Sequence, residues 1–229
     1  MGLVSDGSFN PFSTRFVRPD RMRYRFTPDI DPERFAQSLA DRLQKESALA
    51  VIGPHGTGKT TLLHFLMPRL EAYFGEVRFV RLCSSSKPFG PPEAARLIAG
   101  QALVVIDGYE QLSVASRVAM IARLKCLQLS TRLLITAHRR QWFVPTFFCT
   151  RWDAKLVSDL TAEKLADLPR EQRFAMQQIA DQLARRYPPE QKVSGAASAN
   201  VRDYWFSLYD AYERLRNERS TAGRGTARS

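Results

Sequence analysis

The chain of 229 residues is short of the features that would set it outside ordinary globular proteins. Its three cysteines, Cys83, Cys126 and Cys149, are scattered and form no CxxC pair. That excludes a disulfide framework and fits a reducing compartment. No apolar run approaches the roughly 18 residues that a membrane helix needs, so no membrane partner is expected. The start, MGLVSDGSFN, has neither the basic nor the apolar region of a signal peptide, and Asp6 stands where a myristoylation signal carries Ser or Thr. The expected location is cytoplasmic. The three histidines show no metal-ligand spacing, and no internal repeat is visible.

What the chain does have is basic charge. Lys and Arg number 34 against 23 Asp and Glu, a formal net charge of +11. This raises nucleic acid as a partner without bearing on fold. Much of the excess sits near the two ends: Arg15, Arg18, Arg21, Arg23 and Arg25, then Arg214, Arg216, Arg219, Arg224 and Arg228. At 44% hydrophobic and 25% charged the composition is that of a folded domain. A chain this long buries roughly 70–75% of its unfolded surface and needs no staples.

The pattern divides the chain into an extended basic arm (1–30), a core (31–158), a helical segment (159–217) and a disordered basic tail (218–229). Asp31-Pro32-Glu33 reads as a helix start, with Phe35, Leu39 and Leu43 at helical spacing to about Glu46. Strands are expected at 48–52, 76–83, 102–107 and 132–136, with a short fifth at Lys155–Val157. Helices are expected at 60–74, up to Ile98, and at 114–127. From Thr161 the pattern is helical only, with one helix to about Tyr187 and another over 200–217. Alternating strands and helices imply an α/β fold with a mostly parallel five-stranded sheet, helices on both faces and a small C-terminal helical lid.

Gly53-Pro54-His55-Gly56-Thr57-Gly58-Lys59-Thr60 fits GxxxxGK[ST], after an apolar strand and before a helix. Glycines let the backbone wrap so that its N–H groups point at phosphate oxygens, and the helix N-terminus adds its positive end. Lys59 is placed to reach the β- and γ-phosphates, the Thr60 hydroxyl to ligate Mg²⁺, and Thr61 to bond the α-phosphate. Leu103-Val-Val-Ile-Asp107 ends a hydrophobic strand in an acid, which would sit near Mg²⁺ through water. Three residues on, Glu110 is placed to polarise an attacking water, or else to complement the dipole of the next helix. Thr136 and His138 follow the fourth strand. If that strand lies between those leading to Lys59 and ending at Asp107, its end faces the γ-phosphate, and either residue could sense hydrolysis.

With Gly53–Thr60, Asp107 and Glu110 in hand, the chain resembles the P-loop ATPases with a separate catalytic Glu, the broad class of AAA+ and STAND NTPases. Asp107-Gly-Tyr-Glu110-Gln-Leu is similar to the STAND pattern Asp-Gly-Leu-Asp-Glu-Leu. The resemblance covers about residues 30–158 and implies strand order 5-1-4-3-2, with ATP and Mg²⁺ as cofactors. Ser194-Gly195 and Asn200-Val201-Arg202 are similar to the AAA+ lid segment, which would make Arg202 a γ-phosphate sensor; a capped surface helix explains them equally. Asn10-Pro-Phe-Ser-Thr-Arg15-Phe-Val-Arg18-Pro resembles the arm of small bacterial P-loop proteins of unassigned role, where it would cover the adenine. A solvated basic arm is the alternative.

The guanine motif Asn-Lys-x-Asp and an LSGGQ-like segment are both absent, against a GTPase and an ABC subunit. Three functions follow. The first is Mg-ATP binding with slow hydrolysis coupled to switching or assembly, through a protein partner or self-association. The second is a small-molecule kinase. The third is a nucleic-acid-binding regulator that uses ATP as a switch, motivated by the Arg clusters and the aromatics Trp142, Phe143, Phe147 and Phe148. No arginine finger is identifiable; Arg139 and Arg140 are candidates by proximity alone.

Overall fold

A computed structural model of the chain describes residues 10–13, 22, 24–83, 89–126, 130–151, 154–186 and 201–225. The elements in order are α1 (Pro32–Glu46), β1 (Ala48–Ile52), α2 (Lys59–Phe74), β2 (Val77–Arg81), α3 (Pro91–Leu97), β3 (Leu103–Asp107), α4 (Val114–Cys126), β4 (Arg132–Ala137), β5 (Thr146–Cys149), α5 (Ala154–Leu165), α6 (Arg170–Arg186) and α7 (Val201–Gly225). They fall into two compact units, one of residues 23–151 and one of residues 1–22 with 152–229.

The first unit is built on one sheet, in the order β2-β3-β4-β1-β5. Every pairing is parallel. This is the expected order read from the opposite edge. β1 and β3 are buried along their whole length, which is why they read as unbroken apolar runs rather than alternating ones. Their side chains still alternate between two cores. Leu49, Val51, Leu103, Val105 and Leu134 face a cluster with Leu39 and Leu43 of α1 and Leu62, Leu66 and Leu70 of α2. Ala50, Ile52, Val104, Ile106 and Ile135 face another with Ala94 and Leu97 of α3 and Met120, Ile121 and Leu124 of α4. The result is a three-layer α/β sandwich.

α1 begins where the sequence said. Asp31 caps it by accepting from the Arg34 N–H at 2.7 Å, and Pro32 occupies its first turn. Tyr24 and Phe26 join the first unit. Phe26 packs against Phe35 and Phe65, with ring centroids 4.9 and 5.4 Å apart.

Three expectations fail. The fifth strand is Thr146–Cys149, not Lys155–Val157, which lies inside α5. The helix expected from Thr161 to Tyr187 is two, α5 and α6, broken at Pro169. Pro169 disfavours helical backbone at the residue before it and has no N–H for a continuing ladder, so the chain turns at 166–168 and α6 starts afresh at Arg170. α7 also runs past Asn217 to Gly225, through most of the stretch read as a disordered tail.

The second unit has its own core of Val157, Leu165, Met176, Ala180, Tyr204, Trp205 and Leu208. Asn10 and Phe12 belong to it. Asn10 Nδ2 donates to Glu213 Oε1 at 2.8 Å and to Tyr209 O at 3.2 Å. Phe12 is buried and stacks on Trp205 with centroids 5.8 Å apart. The Asn-Pro-Phe part of the arm motif is thus fastened to α7. Its remainder, residues 14–19, and Ser194, Gly195 and Asn200 of the lid motif lie outside the described residues.

Candidate functional site

All the candidate groups in the first unit gather at the carboxyl end of the sheet. β4 lies between β1 and β3. The loop after β1, the acid ending β3 and the residues closing β4 are therefore neighbours, as the sequence argument required.

The loop Gly53–Gly58 joins β1 to α2, which starts at Lys59. Gly53 has φ 153°, and a Cβ there would collide with Thr150 Oγ1 and lie 2.5 Å from the Thr150 carbonyl oxygen. Only glycine fits. Thr57 ties the loop down, its hydroxyl donating to Pro54 O at 2.9 Å and lying 2.6 Å from Thr150 Oγ1.

Lys59 is buried, 8% exposed. Its ammonium donates to Gly53 O at 2.6 Å and Pro54 O at 2.7 Å, and lies 3.3 Å from His138 Nδ1. Burial holds its pKa below the ordinary lysine value, against the opposing pull of Glu110, Asp107 and Cys149.

Both oxygens of buried Asp107 are engaged. Thr60 Oγ1 donates to Oδ2 at 2.8 Å, and Thr136 Oγ1 donates to Oδ1 at 2.6 Å. Thr136 also accepts from the Gly108 N–H at 2.9 Å, so it fixes the end of β3 from both sides. Arg81 Nε stands 3.8 Å from Asp107 Oδ2. Gly108 then turns the chain with φ 85°; a Cβ there would come within 2.7 Å of Leu82 O.

Glu110 sits on a 3-10 turn, Tyr109–Gln111, separate from α4. It is not the first-turn acid of the following helix. Tyr109 anchors this turn: its ring is buried, its hydroxyl donates to Arg117 O at 3.3 Å, and burial pushes its pKa up to about 12. Glu110 Oε1 lies 2.7 Å from His138 Nε2. Its other oxygen, Oε2, is buried and has no hydrogen-bond partner.

His138 thus links two charged groups, and its tautomer follows. A lone pair on Nε2 would repel the Glu110 carboxylate, so Nε2 carries a proton and donates to it. A second proton on Nδ1 would face the Lys59 ammonium, so Nδ1 accepts from Lys59. The chain Lys59, His138, Glu110 is continuous. Nδ1 also lies 3.4 Å from Gly53 O, a contact the other tautomer would use. His55, exposed on the loop, places its ring centroid 3.5 Å from that of His138. Sequence reasoning named His138 but missed this pairing, because nothing in the spacing ties residue 138 to residue 110.

Gly56, Gly58 and Thr61 lie in the same loop and first helical turn. Arg202 lies in the first turn of α7, in the second unit. Among the described residues no three His, Cys, Asp or Glu gather to hold a metal ion. The Thr60–Asp107 pair offers hard oxygens of the kind Mg²⁺ takes.

A glycine-wrapped loop opening a helix, on a parallel sheet of this order, decides the fold. It is the P-loop NTPase fold. No protein-family model matches the chain, and no curated protein sequence does. Solved structures of similar fold include PCH-2 of C. elegans, at 15% identity and TM-score 0.45 over 80% of this chain and 68% of that one. The Holliday junction branch migration motor RuvB of Thermotoga maritima is similar at 16% identity and TM-score 0.43, over 80% and 70%. NtrX of Brucella abortus is similar at 14% identity and TM-score 0.47, over 89% of this chain and 55% of its own length. Among the described residues no helix is long and apolar enough to cross a membrane.

Proposed function

We propose that this protein binds Mg-ATP at Gly53–Thr61 and hydrolyses it slowly, in the manner of the AAA+ and STAND ATPases it resembles. The observation that carries the reading is the Lys59–His138–Glu110 chain beside the Thr60–Asp107 pair. A buried ammonium held by backbone carbonyls is poised to exchange them for phosphate oxygens. Thr60 and Asp107 would hold Mg²⁺, which when bound neutralises phosphate charge. In hydrolysis a water oxygen bonds to the γ-phosphorus and the bond from that phosphorus to the bridging oxygen breaks. Glu110 takes the water proton through its unpartnered Oε2, and ADP and phosphate leave. Lys59 and the loop N–H groups offset the developing charge. Thr136 fixes Asp107, and His138 fixes Glu110 and reports on the γ-phosphate through Lys59.

The helical residues 159–217 serve as a lid in this reading, with Arg202 as its sensor. Nucleotide state would pass through them to a protein partner or to self-assembly in the cytoplasm.

The deciding experiment is calorimetric titration of the full chain with ATP, with and without Mg²⁺, beside a phosphate-release assay. Binding that Mg²⁺ strengthens, with phosphate released, is expected. No binding at millimolar ATP would overturn the reading, and transfer of phosphate to an acceptor instead of water would make the protein a kinase.

A further inference from the structure

The connection from β4 to β5, residues 138–145, carries no helix. It is a tight hairpin fastened at its base. Gln141 and Val144 bridge antiparallel, and the Val144 N–H donates to Gln141 O at 3.3 Å. Gln141 Oε1 accepts from Arg117 Nη1 of α4 at 2.9 Å, Gln141 Nε2 donates to Arg139 O at 3.0 Å, and Val144 is buried in the core. With the base held, the tip is pushed outward. Trp142 is 95% exposed and Phe143 56%. Arg139 and Arg140 are exposed too, and neither guanidinium makes a hydrogen bond or ion pair among the described residues.

These aromatics are not spare core. Phe147 and Phe148, from the same stretch, pack on Phe35 with centroids 5.1 and 5.0 Å apart. Trp142 and Phe143 pack on nothing comparable among the described residues. Single exposed apolar residues are ordinary, but a Trp, a Phe and two unpaired Arg within five residues are not. From Arg139 to Arg151 the sequence has no acid, and the nearby Glu110 is engaged by His138. The tip therefore offers flat aromatic faces beside cations with no local anion. That combination complements bases joined by phosphates.

We propose that the tip Arg139–Phe143 is a contact site for single-stranded nucleic acid, with Trp142 and Phe143 stacking on bases and Arg139 and Arg140 meeting phosphates. It stands independently of the ATPase reading, because neither the geometry nor the test involves nucleotide.

The test uses the full chain and a fluorescent oligo-dT of about 15 nucleotides in about 50 mM salt, where phosphate contacts are strong. Binding read by anisotropy is expected, with quenching of tryptophan emission. Trp142→Ala should weaken it roughly 10-fold and remove most of the quenching. Arg139→Ala with Arg140→Ala should lower the slope of log affinity against log salt by about 1.4, at about 0.7 per single-strand phosphate. Both variants alter exposed side chains, and unchanged melting temperatures would show that they fold. No binding by the parent chain, equal binding by all variants, or preference for duplex would each overturn the proposal. So would self-association by light scattering that Trp142→Ala abolishes, which would give the tip to a second copy of the chain.

Discussion

His138 and Arg139 are adjacent in sequence and belong to opposite kinds of place. On one side lies the loop network, where Lys59 and Asp107 are buried and each charged group has a partner. On the other lies the hairpin tip, where two cations and two aromatic rings stand in water. Burying a charge is costly unless it is paired, so the network is rigid and its groups are mutually dependent. The tip has no such debts, and its residues are free to differ without disturbing the fold. The unpartnered cations begin one residue beyond the partnered histidine and the exposed rings four residues beyond it, so two opposite environments meet within a single short connection.

Substitutions should show this asymmetry, and the largest effect belongs to Glu110. Glu110→Gln keeps the shape and removes the proton acceptor. Phosphate release should fall by about 10²- to 10⁴-fold while ATP still binds, read by single-turnover assay beside calorimetry. A variant that hydrolyses ATP at the parental rate would remove Glu110 from the catalytic role.

Lys59 comes next. Lys59→Ala should weaken ATP binding by roughly 10²-fold or more, because it removes a desolvated cation from the phosphates. The same residue sets a pH dependence. Burial lowers its pKa in the folded protein, so its charged form is held at a cost that is present below that lowered value. The cost disappears as pH rises through it toward the ordinary value of 10.5. Folding stability therefore gains over that window while phosphate affinity falls, since phosphate needs the ammonium. ADP affinity followed by calorimetry from about pH 7 upward should decline before an ordinary lysine would titrate. Affinity flat to that point would show that Lys59 does not meet phosphate.

Much of this site was legible before the structure. The loop announced itself because glycine, lysine and threonine at fixed offsets have few other reasons to occur together. β3 was legible because a strand buried on both faces must be apolar throughout, and its one acid then stands out at the end. β5 was missed because Thr146–Cys149 is a short edge strand that is only partly buried. Its two phenylalanines read as loop aromatics beside Trp142 and Phe143, which they resemble in sequence and not in burial. Lys155–Val157 was misread as a strand because three residues cannot distinguish a period of 2 from one of 3.6. The His138–Glu110 contact had no sequence signal, since it arises from the order of strands and the turn at Gly108.

Thr136→Val sharpens the comparison from the buried side. Valine keeps the volume but removes the hydroxyl that donates to Asp107 and accepts from the Gly108 N–H. A cost of about 1–3 kcal/mol in unfolding free energy is expected, because buried polar groups are left unmatched. Denaturant unfolding would measure it. A loss well under 1 kcal/mol would mean that the network rearranges freely.

The smallest effect should come from the tip, and it is the most informative about the hairpin. Trp142→Ser removes a large side chain, a change that in a core costs several kcal/mol. Here 95% of the residue is already in water, so folding stability should change by less than about 0.5 kcal/mol. Unfolding curves of the two proteins should then overlay. A clear destabilisation would show that the ring contributes to folding, and the hairpin would be a structural brace. An unchanged curve would show that the ring has no folding role, which the nucleic-acid proposal requires, and the oligo-dT titration of the same variant then decides whether the ring binds.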